Sequence, residues 1–233
     1  MRGVFVTATD TGVGKTVLAG VICAVLRARG ERVAAYKPVV TGTAEPEPGV
    51  PPDHVLLATC TGQRPEQVTA RTFGPAVSPH LAAAEAPLDP AALEAAASAA
   101  APPDGVLVVE GIGGLLVPLD GHGYDIRALA RALGLPVVIA ARPGLGTINH
   151  TLLTIEAAWS AGLDVRGVVL TPWPDAPSAA ERSNAATIAS LGDVTVSHLP
   201  RVTALTPAAL AAAGAELPVQ RWLGVAAPNP AAL

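Results

Sequence analysis

Six apolar runs rich in Val, Ile and Leu recur along the chain, at residues 3–7, 32–37, 106–110, 136–141, 165–170 and 194–199. They are nearly continuous rather than alternating, so each reads as a strand buried on both faces. Between them lie Ala- and Leu-rich stretches with helical spacing: 15–29, the segment from Pro90 to Pro102-Pro103, 125–133 closed by Gly134, and 148–160. Strands that alternate with helices predict an α/β fold, a mostly parallel, doubly wound sheet held between two helical layers. No internal repeat interrupts the pattern. Residues 1–233 therefore read as one three-layer domain, a size that a single core supports. Residues 43–52, rich in Pro, Glu and Gly, read as a mobile loop, and the tail after Pro218, with Pro228 and Pro230, reads as frayed.

Composition removes several classes of function. The net charge is -4, and no basic run exists to displace the counterions of a nucleic acid, so no nucleic-acid partner is expected. The longest apolar stretch, 17–26, is about half of a membrane span. The N-terminus enters a strand at once without a cleavable signal. A soluble, cytoplasmic protein with no membrane partner is expected. Cys23 and Cys60 form no CxxC pair and read as small buried hydrophobes in a reducing compartment. The histidines at 54, 80, 122, 150 and 198 lack ligand spacing, so zinc is not expected, and no GxSxG elbow marks a serine nucleophile. Of fifteen Lys and Arg residues only Lys15 and Lys37 are lysine. That scarcity raises the question of what a compact ammonium does at those two places that a guanidinium does not.

The run Ala8-Thr9-Asp10-Thr11-Gly12-Val13-Gly14-Lys15-Thr16 follows the first strand and opens the first helix. Amides of such a turn converge on phosphate oxygens, and the helix N-terminus adds a favourable field. Gly12 and Gly14 let the backbone approach an anion, Lys15 would neutralise the β- and γ-phosphates, and the Thr16 hydroxyl would bind Mg2+. The standard GxxxxGK[ST] pattern wants Gly where Thr9 stands, but the strand, the Gly-Lys-Thr and the apolar helix agree with a P-loop NTPase-like fold.

Ligands of an open parallel sheet bind outside the carboxyl ends of the strands. Lys37 ends the second strand and should reach that rim, which gathers both lysines at one site. Glu110 ends a strand where two-faced burial predicts an apolar residue. An acid there is costly unless it is paired or bound to metal. Gly111, Gly113 and Gly114 behind it permit close approach to phosphate. Asp53 opens a helix after the loop, and helix N-cap and magnesium ligand are equally compatible with that place.

Taken together with Tyr36-Lys37-Pro38-Val39, Thr41-Gly42, Ser78-Pro79-His80, Glu110-Gly111-Ile112-Gly113-Gly114 and Leu145-Gly146-Thr147-Ile148-Asn149-His150, these residues resemble the dethiobiotin synthetase family from Val4 to about Pro200. The resemblance implies a homodimeric P-loop ligase that joins 7,8-diaminononanoate, CO2 and a nucleoside triphosphate through a carbamate and a carbamic-phosphoric mixed anhydride. It implies that Lys15 and Thr16, with Val13 and the loop glycines, hold phosphate and Mg2+, with Asp53 and Glu110 as further metal ligands. Lys37 would stabilise the carbamate and the transferring phosphoryl group, and Thr11 and Thr41 would bind the diamine and carbamate end. Gly146, Thr147 and Asn149, at a helix start, would receive the substrate carboxylate from the neighbouring subunit, so the active site would lie at the dimer interface. Gly111, Gly113, Thr171 and Pro200 would line the nucleotide.

Three departures from the family pattern alter what is expected. Ala8 replaces a glycine, and Gly12 stands where some members carry Glu. Thr171 stands where an Asn often reads the adenine edge; a threonine lacks that amide, so CTP or GTP is expected to compete with ATP. A competing reading is a P-loop ATPase switch of the partition or site-selection type. Such proteins carry a second lysine five positions before the loop lysine, where this chain has Asp10.

Overall fold

The computed structural model describes residues 1–46 and 49–225. The elements run β1 (Arg2–Ala8), α1 (Lys15–Ala28), β2 (Val33–Tyr36), α2 (Asp53–Thr61), α3 (Pro65–Val68), α4 (Pro79–Ala82), α5 (Pro90–Ala100), β3 (Val106–Glu110), α6 (Ile126–Leu133), β4 (Val137–Ala141), α7 (Thr147–Ser160), β5 (Val165–Trp173), α8 (Ala179–Leu191), β6 (Val196–Pro200), α9 (Pro207–Ala213), α10 (Val219–Trp222) and β7 (Gly224–Val225). Six parallel strands stand in the order β2-β3-β1-β4-β5-β6, and β7 adds an antiparallel pairing at the start of β1.

Period two along each strand divides the core into two. Val4, Val6, Ala8, Val106, Val108, Val138 and Ala140 face one way, packing under α1, α2, α9 and α10. Phe5, Leu107, Val109, Val137 and Ile139 face the other, under α5, α6, α7 and α8. Each Leu, Ile or Phe removed from water in these layers contributes about 1.5–3 kcal/mol, which is why the runs tolerate no polar face. Local signals set the helix ends. Asp125 accepts the Ala128 N–H at 2.7 Å to start α6, and Gly134 ends it with a left-handed backbone.

Expected and observed elements agree to within a residue or two over most of the chain. β5 runs on to Trp173, and β6 starts two residues later than expected. The hydrophobic pattern announces neither the one-turn helices α3 and α4 nor α8, α9 and the segment after Pro218. α8 buries only Ala185 and Ile188, so its apolar period is faint, although the Ser178–Glu181 capping box announces it. α9 is likewise announced only by its cap, Thr206 ahead of Pro207. After Pro218, Trp222 is almost fully buried and β7 pairs with β1, so residues 219–225 carry structure that the composition hid. The expected fraying at Pro228 and Pro230 lies outside the described residues. The start of the loop expected at 43–52 is tied down: Thr43 and Ala44 donate to the carbonyls of Phe73 and Gly74, and Glu45 accepts the Ala76 N–H at 3.1 Å. Among the described residues no helix is long and apolar enough to cross a membrane.

Candidate active site

β1 lies between β3 and β4, so the chain changes direction across the sheet beside it, and a crevice opens outside the carboxyl ends there. A cavity of about 570 Å3 fills this crevice. Thr11, Gly12, Gly14, Lys15 and Thr16 line it from the loop after β1, Lys37 and Thr41 from the end of β2, Asp53 from α2 and Gly113 from beyond β3.

The sheet register explains why the charged residues meet. Tyr36 pairs with Val109, so the next residues, Lys37 and Glu110, are neighbours. By the same alternation both side chains fall on the face covered by α1, where Lys15 and Thr16 begin the helix. One oxygen of Glu110 receives three donors: Lys37 Nζ at 2.8 Å, Lys15 Nζ at 3.1 Å and Thr16 Oγ1 at 2.8 Å. Lys37 also meets Asp53 Oδ2 at 2.8 Å and donates to the Gly111 carbonyl at 3.2 Å, which matches the three protons of an ammonium to three acceptors. Thr16 Oγ1 lies 2.9 Å from Asp53 Oδ1. Two ammoniums and two carboxylates therefore cancel in a site where Lys37 is 2% exposed and Glu110 0%. Burial and the neighbouring Lys37 hold Lys15 below the usual lysine range despite Glu110. Burial also pulls on Lys37, but Asp53 and Glu110 outweigh it, and its pKa is raised. Burial pushes the Asp53 carboxyl up; the two lysines overcome that and hold it well below the usual carboxylate range.

Glu110 Oε2 is buried and has no partner. With the Thr16 hydroxyl and the Asp53 carboxylate beside it, this orphaned oxygen completes a small set of hard oxygen donors. The set fits Mg2+, which prefers one or two carboxylates and takes its other positions from phosphate and water. Asp53 is not the cap of its helix. Pro52 holds that position, and the Asp53 carboxylate points into the cluster.

Other expected residues fall differently. Val13 turns its side chain into the core and is not among the residues that line the cavity. Gly14 has a φ of +93°, and a Cβ there would stand 3.1 Å from Thr171 Cγ2. Thr171 thus packs on the phosphate loop from β5. Gly111 is glycine for packing reasons, since a Cβ would meet Ile126 Cγ2 at 2.9 Å; of the residues behind Glu110, it is Gly113 with Ile112 that borders the cavity. Pro200 pairs with Trp173 at the sheet edge, away from the cavity lining. Gly146 is the N-cap of α7, Thr147 is buried against Thr151 at 3.3 Å, and Asn149 is exposed; none of the three lines the cavity of its own chain. Sequence reasoning passed over the apolar walls, Val39, Val50, Pro51, Val77, Ile112, Val117 and Leu205, and over Ser78, quoted as part of a motif without a role. It also missed Arg142, although its place just beyond the end of β4 is the kind of position the strand-end rule singles out.

Over residues 2–209 the chain matches the family described as AAA domain. It is 43% identical over 197 residues to the ATP-dependent dethiobiotin synthetase BioD of Anaeromyxobacter dehalogenans, covering 82% of this chain and 86% of that protein. To the protein of the same name from Mycobacterium avium it is 38% identical over 208 residues, covering 83% and 85%. The solved structure of Cyanthece apo McdA is similar with a TM-score of 0.50 at 12% identity, over 91% of this chain and 90% of that one, a likeness of fold alone.

Proposed function

This chain belongs to the dethiobiotin synthetase family and is an ATP-dependent ligase of biotin biosynthesis; from that premise we propose how its cavity closes a cyclic urea. The substrates are 7,8-diaminononanoate, CO2 and ATP, and the products dethiobiotin, ADP and phosphate. One substrate amine adds to CO2 and loses a proton, giving a carbamate. A carbamate oxygen attacks the γ-phosphorus and ADP leaves. The second amine then attacks the carbonyl carbon of the mixed anhydride, phosphate leaves, and the five-membered urea is closed. The substrate supplies both attacking groups, so the protein contributes position and charge.

The observation that carries this reading is the neutral cluster of Lys15, Lys37, Asp53 and Glu110 beneath the phosphate loop. Lys15 exchanges Glu110 for the β- and γ-phosphates when nucleotide enters. Lys37, pinned at the junction of the phosphate loop and the β2 rim, stabilises the carbamate and the phosphoryl group in flight. Thr16, Asp53 and Glu110 are the residues that would hold Mg2+, which supplies neutralisation of phosphate charge. Thr11 and Thr41 bind the diamine and carbamate end, and Val39, Ile112 and Val117 flank its hydrocarbon. The buried, unpaired Cys23 and Cys60 are in keeping with a cytoplasmic enzyme. The test is phosphate release with Mg2+ and ATP, with and without the diamine and bicarbonate, with dethiobiotin identified by mass. Hydrolysis indifferent to the diamine would return the switch-type reading.

Base choice is the first refinement. The Thr171 side chain is spent on Gly14 and carries no amide with which to read a base edge. ATP, CTP and GTP are expected to support turnover with comparable kcat/KM. A preference for ATP above about a hundredfold, near 2.7 kcal/mol, would sink the idea.

The second refinement is the homodimer. The outer face of α7 exposes Leu153 (57%) and Trp159, Leu145 stands clear of the surface just before it, and Leu116 borders the same groove. Apolar exposure of this kind, beside a helix start that its own chain does not use, suits a second copy whose Gly146, Thr147 and Asn149 receive the carboxylate of the substrate bound here. Leu153→Asp is expected to shift the protein to monomer in sedimentation velocity and to cost more than about tenfold in activity, near 1.4 kcal/mol. A monomeric wild type at full activity would refute the shared site.

A further inference from the structure

We propose that Arg142 is a positioning residue for the diamine end of the site, acting on Thr11 through the phosphate loop. It is the first residue beyond β4, the strand next to β1, and its guanidinium reaches across to the outer turn of the loop. Arg142 Nη2 donates to the Thr11 carbonyl at 3.1 Å and lies 3.5 Å from Asp10 Oδ2. The other carboxylate oxygen of Asp10 accepts the Thr11 N–H at 2.7 Å. Both main-chain groups of Thr11 are therefore held by one pair of side chains, and by neither helix α1 nor the phosphate cradle. The Thr11 side chain then stands in the cavity opposite Gly113, where a Cβ would lie 3.3 Å from Thr11 Oγ1.

The base of the arginine is itself fixed. Asn184 Nδ2 on α8 donates to the carbonyls of Pro143 at 3.0 Å and Gly144 at 3.4 Å, directly after it. Arg142 thus braces the loop against a post that belongs to another layer of the fold. The pair is no stability device. Both side chains are 58% exposed, and an ion pair so open to water and screened by salt adds little to stability. What it sets is the conformation of one residue, and Thr11 is the residue read above as a contact of the diamine and carbamate, so the inference rests on that reading. Because a single nitrogen makes both contacts, a lysine ammonium can replace it.

The experiment measures steady-state kinetics of dethiobiotin formation by the full-length Arg142→Ala, Arg142→Lys and Thr11→Val enzymes, varying diamine and ATP separately, with melting curves alongside. Arg142→Ala is expected to raise KM for the diamine about tenfold, with KM for ATP within about twofold and Tm within about 3 °C of wild type. Arg142→Lys is expected to recover most of the loss. An unchanged diamine KM in Arg142→Ala overturns the proposal. So does an equal rise in KM for ATP, which would mean that the whole phosphate loop had moved, or failure of the lysine to rescue. Thr11→Val tests the underlying reading on its own: an unchanged diamine KM there would remove Thr11 from the substrate site whatever Arg142 does.

Discussion

Lys37→Ala is expected to lower dethiobiotin formation by about a thousandfold, near 4 kcal/mol of transition-state stabilisation, while leaving Mg2+-ATP binding measurable. The ammonium is buried at 2% exposure and held by Glu110, Asp53 and the Gly111 carbonyl, so it does not rearrange to find its place when charge develops. Its raised pKa keeps it charged across the working pH range, because Asp53 and Glu110 more than offset its burial. Lys37→Arg is not expected to rescue. A planar guanidinium fork does not fit three acceptors arranged around a point charge. Removing the cation also weakens the fold by leaving two carboxylates short of a partner, so turnover must be normalised to folded protein by circular dichroism. A loss below about tenfold, in protein shown to be folded, would place the charge stabilisation elsewhere.

The second large effect is on stability. Glu110→Ala is expected to cost about 3–5 kcal/mol, because it strands the ammoniums of Lys15 and Lys37 in a dry site without their shared acceptor. For a chain of this size that is a fall in Tm of roughly 10 °C, readable in a thermal melt without nucleotide. Glu110→Gln, which keeps the shape and one acceptor oxygen, is expected to fall between the two. Nucleotide should restore part of the loss in both variants, since phosphate offers the lysines the anion they lack. A Glu110→Ala protein that melts within about 2 °C of wild type would show that solvent reaches the cluster.

The same residues mark how far the sequence can be read. The strand ending in Glu110 was recognisable because an acid broke an apolar run, and the phosphate loop because strand, glycines, lysine and helix follow one another without a gap. The two lysines were assigned to one rim from composition and strand ends, and both line the cavity. For Asp53 the sequence offers cap and ligand alike, since a loop of ten residues carries no register. The fold removes the cap reading, since Pro52 holds that position and α2 brings the Asp53 carboxylate against Lys37 at the end of β2. In the sequence Gly111 offers room for phosphate, but only the packing of Ile126 shows what its missing Cβ accommodates.

The sequence by itself determined the elements and the chemistry each carries. Hydrophobic period, capping residues and turn glycines act between residues a few positions apart, so they are written locally. The tertiary structure alone decided which carriers meet. Lys15 and Glu110 are 95 residues apart, Arg142 and Thr11 131, and each pair is joined by the strand order β2-β3-β1-β4 rather than by any spacing in the chain. That order follows from packing two apolar layers on one twisted sheet, a cooperative balance over the whole core that no local window contains.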